Sequence, residues 1–103
     1  MPKLKHFARD AAPEDMLCAI REDGAIIVDE LIDTDILKAL RSETDPYMEA
    51  TQNGPDEFAG FLTTRTGGLV MRSASCRDLI QNALVLKLCD GFLLEHCQRY
   101  QCT

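Results

Sequence analysis

Few residues in this 103-residue chain could do chemistry, and their spacing decides most of what is possible. The cysteines Cys18, Cys76, Cys89, Cys97 and Cys102 form an odd set without a Cys-x-x-Cys pair. His6 and His96 lie far apart, and neither opens a zinc-like spacing. His96 and Cys97 are adjacent, but a metal site needs three or four donors at workable spacing, so they read as a helix-end histidine beside a packed thiol. A Cys97–Cys102 disulfide is disfavoured by the odd count and by the absence of a secretory leader. Reduced thiols in the cytoplasm are the expectation, with Cys18, Cys76 and Cys89 packing as small apolar groups.

The most distinctive run is Arg65-Thr66-Gly67-Gly68-Leu69-Val70-Met71-Arg72-Ser73. Paired glycines let a backbone approach a ligand closely, and the flanking Arg65 and Arg72 can hold a carboxylate or phosphate. The competing reading is a flexible turn with solvated arginines leading into a helix, and Gly-Gly is most often turn punctuation. It is no phosphate loop, because the spacing and the Lys-Ser/Thr ending are missing. The acids Asp29, Glu30, Asp33 and Asp35 read as caps and solvated faces with no base beside them, and no nucleophile–base constellation can be assembled. Metal, nucleophilic and acid–base chemistry therefore have no motif here.

Composition narrows the partners. Hydrophobic residues make up 46% and charged residues 27%, as in a globular domain, and the formal charge is −6. An acidic chain disfavours nucleic acid and anionic membrane surfaces. No apolar run approaches the length of a membrane-spanning helix. The charge is uneven: residues 1–60 carry fourteen acids and six bases, whereas residues 61–103 carry three acids and five bases, beginning with Arg65.

The elements that must position these residues follow from pattern. Residues 1–12 read as a flexible N-terminus. A helix is expected from Pro13 to Asp23, with Pro13 at its first position, Glu14 and Asp15 at the positive end of its dipole, an apolar face of Met16, Leu17, Ala19 and Ile20, and Gly24 as cap. Ala25-Ile26-Ile27-Val28 reads as a short buried strand. A second helix follows Asp33, with Ile36, Leu37, Leu40 and Tyr47 inward, Lys38, Arg41 and Glu43 toward water, and an interruption or kink at Pro46. Residues 51–72 read as a loop, within which Leu69-Val70-Met71 is a brief strand or extended stretch. A helical region over residues 73–95 begins at Ser73 or Ser75 and breaks at Asn82. Residues 99–103 read as the start of a strand, whose open edge could pair with another chain.

The order of these segments resembles the N-terminal part of the phytanoyl-CoA dioxygenase family, in its fungal branch that decorates secondary metabolites. The residues that carry the resemblance are Glu22-Asp23-Gly24-Ala25-Ile26-Ile27-Val28-Asp29, the helix with Leu37, Leu40 and Arg41, the run Phe61 to Ser73, the helix with Arg77, Leu79 and Ile80, and Tyr100-Gln101. The resemblance implies an α+β, mostly helical chain: a single incomplete domain over residues 1–103, made of a helical shell and edge strands of an incomplete double-stranded β-helix (jelly-roll). It implies a truncated oxygenase whose complete relatives hydroxylate or desaturate small organic substrates with Fe(II) and 2-oxoglutarate. In such enzymes a His-x-Asp/Glu pair and a distant His leave open positions on the iron. Here the histidines read His6-Phe7-Ala8 and His96-Cys97-Gln98, so no cofactor or metal ligand carries over and none is expected in this chain alone. The resemblance places Val70, Met71 and Arg72 at the mouth of the substrate site, while Arg65 and Arg72 could equally anchor the loop to the core. The alternatives are a catalytically dead partner of a complete oxygenase, in a homo- or hetero-oligomer, or a non-functional fragment.

Overall fold

The computed structural model describes residues 3–101. Its elements are β1 (Lys5–Ala8), α1 (Pro13–Asp23), β2 (Ile26–Asp29), α2 (Thr34–Ala50), α3 (Leu69–Arg72), α4 (Ala74–Ile80) and α5 (Ala83–Leu93). The molecule is a small α+β fold, about half helical, and its contacts divide it into two units. No helix among the described residues is long and apolar enough to cross a membrane.

The first unit joins residues 1–33 to residues 80–103. β1 and β2 pair in parallel, with His6 opposite Ile27 and Phe7 opposite Val28, and α1 forms the crossover between them. α1 begins and ends where its chemistry demands. Pro13 occupies the first turn with Glu14 and Asp15, Arg21 sits in the last turn, and Gly24 takes φ 79°, a left-handed conformation that costs glycine little. The Gly24 amide donates to the Ile20 carbonyl at 2.9 Å and closes the helix. Met16 and Ala19, one turn apart, are its fully buried face. α5 packs against α1, and Gly91 permits the approach: a Cβ there would lie 2.7 Å from Leu17 Cδ1. Arg21 ties the same helices, donating to the Gly91 carbonyl at 3.3 Å and to Glu95 Oε1 at 2.6 Å. The break at Asn82 is as expected, and its side chain accepts from the amides of Leu84 and Val85 to cap α5.

Several expectations fail in this unit, among them the burial of the strand expected at residues 25–28, where Ile27 is 38% exposed, and the packing of the Cys97 thiol, which is exposed. Residues 5–8 of the expected flexible N-terminus form β1. Lys5-His6-Phe7-Ala8 lacks strand alternation, but β2 supplies its hydrogen-bond partners, and Lys5, His6 and Arg9 meet Glu22, Asp29 and Asp33. The strand expected at residues 99–103 does not form over its described part. Tyr100 instead donates to Asp90 Oδ1 at 2.6 Å, which with burial pushes the phenol pKa up to about 12; Cys102 and Thr103 lie outside the described residues. The jelly-roll edge strands are thus not seen, and β1–β2 is the one sheet among the described residues. Cys18 does not pack inward either but is exposed, because it follows Met16 by two positions and so leaves the buried face.

The second unit is residues 34–79. α2 runs unbroken through Pro46, contrary to the expected interruption. Proline removes one amide from the ladder, but the turns on either side are held from outside the helix: Glu43 and Tyr47 both engage the segment that follows residue 65. Thr44 is buried and donates its hydroxyl back to the Leu40 carbonyl at 2.8 Å. Ile36, Leu37 and Tyr47, expected to face inward, each remain about 40% exposed. Leu69–Arg72 is neither strand nor extended stretch but a single helical turn. Gly68 at φ 68° starts it, and the Ser73 amide closes onto the Leu69 carbonyl at 2.9 Å. The buried positions here are Thr44 and Ser73, so polar contacts, more than an apolar core, fix this unit.

Candidate functional site

Glu43 organises the Gly-Gly segment. Its Oε2 accepts from Ser73 Oγ at 2.5 Å and from the Ser75 amide at 3.0 Å, and its Oε1 accepts from Ser75 Oγ at 3.0 Å. These bonds, the one from Ser73 foremost, hold the Glu43 carboxyl below the usual carboxylate range. Ser73 is fully buried and its Oγ also accepts from the Cys76 amide at 2.9 Å, which caps α4. Arg77, one turn into α4, reaches back and donates to the Val70 carbonyl at 2.7 Å. The carbonyl end of α3 is thereby tied to α4, and its amide end to Gly68.

That frame decides where the sequence-derived residues point. Val70 is 43% and Met71 79% exposed, so their side chains face away from the contacts that hold their backbone. Arg72 does not project freely: its guanidinium stacks over the Tyr47 ring, 4.7 Å from the centroid. Arg65 is exposed and lines a cleft of about 210 Å³ together with Asn53, Pro55 and Thr63. Arg72 is therefore held against Tyr47 of α2, a ring that is itself 40% exposed.

Glu43 was expected to face water, and sequence reasoning missed it as the acceptor for Ser73 and Ser75. A signal was present. Glu43 and Tyr47 are four residues apart and share one helical face, and Ser73 and Ser75 flank the start of a helix, where hydroxyls cap. The chain also pairs an acid with a base that sequence reasoning kept apart. His6 Nδ1 lies 2.9 and 3.1 Å from the two oxygens of Asp29, beside a cleft of about 290 Å³ lined by Arg9, Asp10 and Glu30. Both partners are half exposed, and no nucleophile joins them among the described hydrogen bonds.

An iron–2-oxoglutarate centre requires three protein ligands. Among the described residues no three His, Cys, Asp or Glu side chains are gathered to hold a metal, the His6–Asp29 pair being two. Cys97 hydrogen-bonds the Leu93 carbonyl at 3.1 Å rather than joining His96 in a site. The residues described here do not fit an iron centre, and no step through iron is derived from them.

No family model matches the chain. Several curated proteins do. Dioxygenase olcK of Penicillium canescens is 28% identical over 80% of this chain, and multifunctional dioxygenase prhA of Penicillium brasilianum is 28% identical over 86% of it. Iron/alpha-ketoglutarate-dependent dioxygenase okaE of Penicillium ochrochloron is 25% identical over 86%. The matched regions cover 30%, 31% and 32% of those proteins, so the chain spans about a third of the length of its relatives. Along most of its length, the chain is similar to fungal dioxygenases.

Proposed function

We propose that this chain corresponds to the N-terminal part of an Fe(II)- and 2-oxoglutarate-dependent oxygenase of the phytanoyl-CoA dioxygenase family. Such an enzyme would act in the cytoplasm on a small organic substrate of secondary metabolism. In this reading the iron and the cosubstrate are held by polypeptide beyond the described residues, and the present chain contributes a wall of the substrate mouth. Val70 and Met71 make that wall's apolar contact, and Arg72, stacked on Tyr47, fixes its edge.

The observation that carries the reading is the similarity to fungal dioxygenases over four-fifths or more of the chain. The site geometry supports it locally. Glu43 and Arg77 hold the backbone of residues 70–75 from behind, which leaves Val70 and Met71 free to meet a ligand on a rigid support.

Two measurements test it. The nucleotide sequence following the codon for Thr103 is expected to encode a His-x-Asp or His-x-Glu. A frame without one removes the oxygenase reading and leaves an interaction subunit. The second replaces the matched segment of okaE with this chain and follows 2-oxoglutarate decarboxylation. The expected outcome is a folded chimera that retains turnover, with Met71→Ala raising KM several-fold and leaving kcat nearly unchanged, as loss of uniform substrate binding does. A folded chimera whose KM ignores Met71 refutes the assignment of the mouth.

A further inference from the structure

One face of α2 holds both ends of the Gly-Gly run, through three side chains spaced one helical turn apart. Glu43, Tyr47 and Thr51 follow each other at intervals of four, so they project from one side of the helix and of the residue just past its end. Glu43 takes Ser73 and Ser75. Tyr47 takes Arg72, whose guanidinium carbon lies 4.7 Å from the ring centroid. Thr51 Oγ1 lies 2.7 Å from Thr66 Oγ1. The direction of this last bond follows from counting protons. A threonine hydroxyl carries one, and that of Thr51 goes to the Tyr47 carbonyl at 2.7 Å, so Thr66 donates and Thr51 accepts. The run therefore lies along α2 in the opposite sense, with Thr51 beside Thr66, Tyr47 beside Arg72 and Glu43 beside Ser73 and Ser75.

Between those ends the chain has few holds of its own. A Cβ on Gly67 would have no neighbour within 4 Å, and one on Gly68, at φ 68°, would come no closer than 3.8 Å, to Arg72 Nε. Leu69–Arg72 contains no buried residue, and the Arg77 bond to the Val70 carbonyl holds it from the side of α4. A single helical turn does not persist by itself, because fixing its dihedrals costs more than its one or two hydrogen bonds return. Its place is set from outside, and the fastening at its far end is interior: Ser73 is fully buried.

We propose that Glu43, Tyr47 and Thr51 are positioning residues for the substrate mouth, a role that rests on the reading of Val70 and Met71 as its apolar contact. They hold the run from behind and set the place at which Val70 and Met71 meet the substrate, so their loss registers as weaker substrate binding. A wall that occupies its place for only a fraction of the time lowers the apparent affinity by that fraction. The loss is bounded by what the wall's contacts contribute. Once the turn has left its place, truncating Met71 removes nothing further. The α2 stripe and Met71 are therefore coupled, although none of the three stripe residues has to touch the substrate.

Two measurements test it. The first is amide hydrogen exchange of the 103-residue chain. Glu43→Ala removes the acceptor of the Ser75 amide and the anchor of Ser73, whose hydroxyl holds the Cys76 amide. Both amides should then exchange at least about tenfold faster, while the Gly54 amide of the same unit, bonded to the Thr63 carbonyl, keeps its rate. A uniform rise at all three, or no rise at any, overturns the proposal, since Glu43 would then support the whole unit or nothing. The second uses the okaE chimera, with KM for the organic substrate followed through 2-oxoglutarate decarboxylation. Glu43→Ala is expected to raise KM several-fold with kcat nearly unchanged, and Met71→Ala to add little in that background. Should Glu43→Ala fail to fold, Thr51→Val keeps the side-chain shape, removes only the acceptor for Thr66 and carries the same cycle, with a rise of about twofold to threefold. Effects of Met71 and α2 variants that multiply overturn the positioning role and leave the mouth in place, as does an α2 variant that spares KM where Met71→Ala raises it. A KM indifferent to Met71→Ala alone removes the mouth, and the proposal with it.

Discussion

Gly91 offers a sharp test of how α1 and α5 hold the first unit together, because two effects of opposite sign meet at one atom. Replacing glycine by alanine inside a helix stabilises it by about 1 kcal/mol, since the unfolded chain loses backbone freedom and the helix gains propensity. At Gly91, however, the new Cβ falls 2.7 Å from Leu17 Cδ1 and 3.2 Å from Leu17 Cδ2. Such overpacking costs about 1–3 kcal/mol where neighbours cannot withdraw. The net for Gly91→Ala in the native background is therefore a loss of roughly 0–2 kcal/mol, with the movement also stretching the Arg21 bond to the Gly91 carbonyl, already long at 3.3 Å. In a Leu17→Ala background the clash is gone and only the propensity remains. The same substitution should then stabilise by about 1 kcal/mol. The sign reverses between backgrounds, and the coupling in the double-mutant cycle is about 1–3 kcal/mol. Urea denaturation followed at 222 nm measures it: with a slope of about 1 kcal/mol per molar for a small domain, the reversal moves the midpoint by about 1 M or more. Gly91→Ala stabilising equally in both backgrounds would refute the close approach of these helices.

Other positions carry equally concrete expectations. Asn82→Ala removes the acceptor for the Leu84 and Val85 amides and should destabilise α5 by about 1 kcal/mol, with Asn82→Asp or Asn82→Ser recovering most of it in thermal melts. Pro46→Ala returns an amide to the middle of α2 and should stabilise the chain by up to about 3 kcal/mol, read as a higher urea midpoint; a loss would mean that α2 depends on the proline ring for packing. Glu43 links the second unit to pH. Its carboxyl titrates below its ordinary value of 4.5 in the folded state, so the stability it contributes is complete above that value and is lost as pH falls through the lowered folded one. Glu43→Gln should flatten this acid limb in urea midpoints taken between about pH 3 and pH 6, and an unchanged limb would place the titration elsewhere.

The elements that could be read from sequence are those whose signals are local. Pro13 and Gly24 bracket α1 at its observed ends, and Asn82 marks the start of α5 because a cap acts within three residues of itself. What could not be read depends on partners distant in the chain. β1 is four residues with one half-buried side chain, and it becomes a strand because β2 offers an edge and because Glu22 meets Lys5 and Asp29 meets His6. α3 is a single turn, too short for periodicity to register, and it is held by Arg77 and Gly68. The site was legible in part for the same reason. The run Arg65 to Ser73 drew notice through its glycines and arginines, whereas Glu43, thirty residues upstream of Ser73, joins it only in three dimensions.

The two arginines of that run show how structure divides residues that look alike in sequence. A guanidinium offers five donors and a flat face, and an anion site would use the donors while an aromatic stack uses the face. Arg72 has committed its face to Tyr47, and Tyr47 lies one turn beyond Glu43 on a helix that already holds Ser73 and Ser75. Its position is thus fixed by the same helix that fixes the segment it belongs to, which makes it a brace for Val70 and Met71 first. Arg72→Lys keeps the charge and loses the planar stack, so it distinguishes the two uses: a brace fails with lysine, whereas a simple charge on the rim survives it. Arg65 has no such stack among the described residues and stays exposed just past the bridge of Asn53 with Thr64. One arginine is therefore engaged by an aromatic ring of α2 and the other is not, although both flank the same pair of glycines.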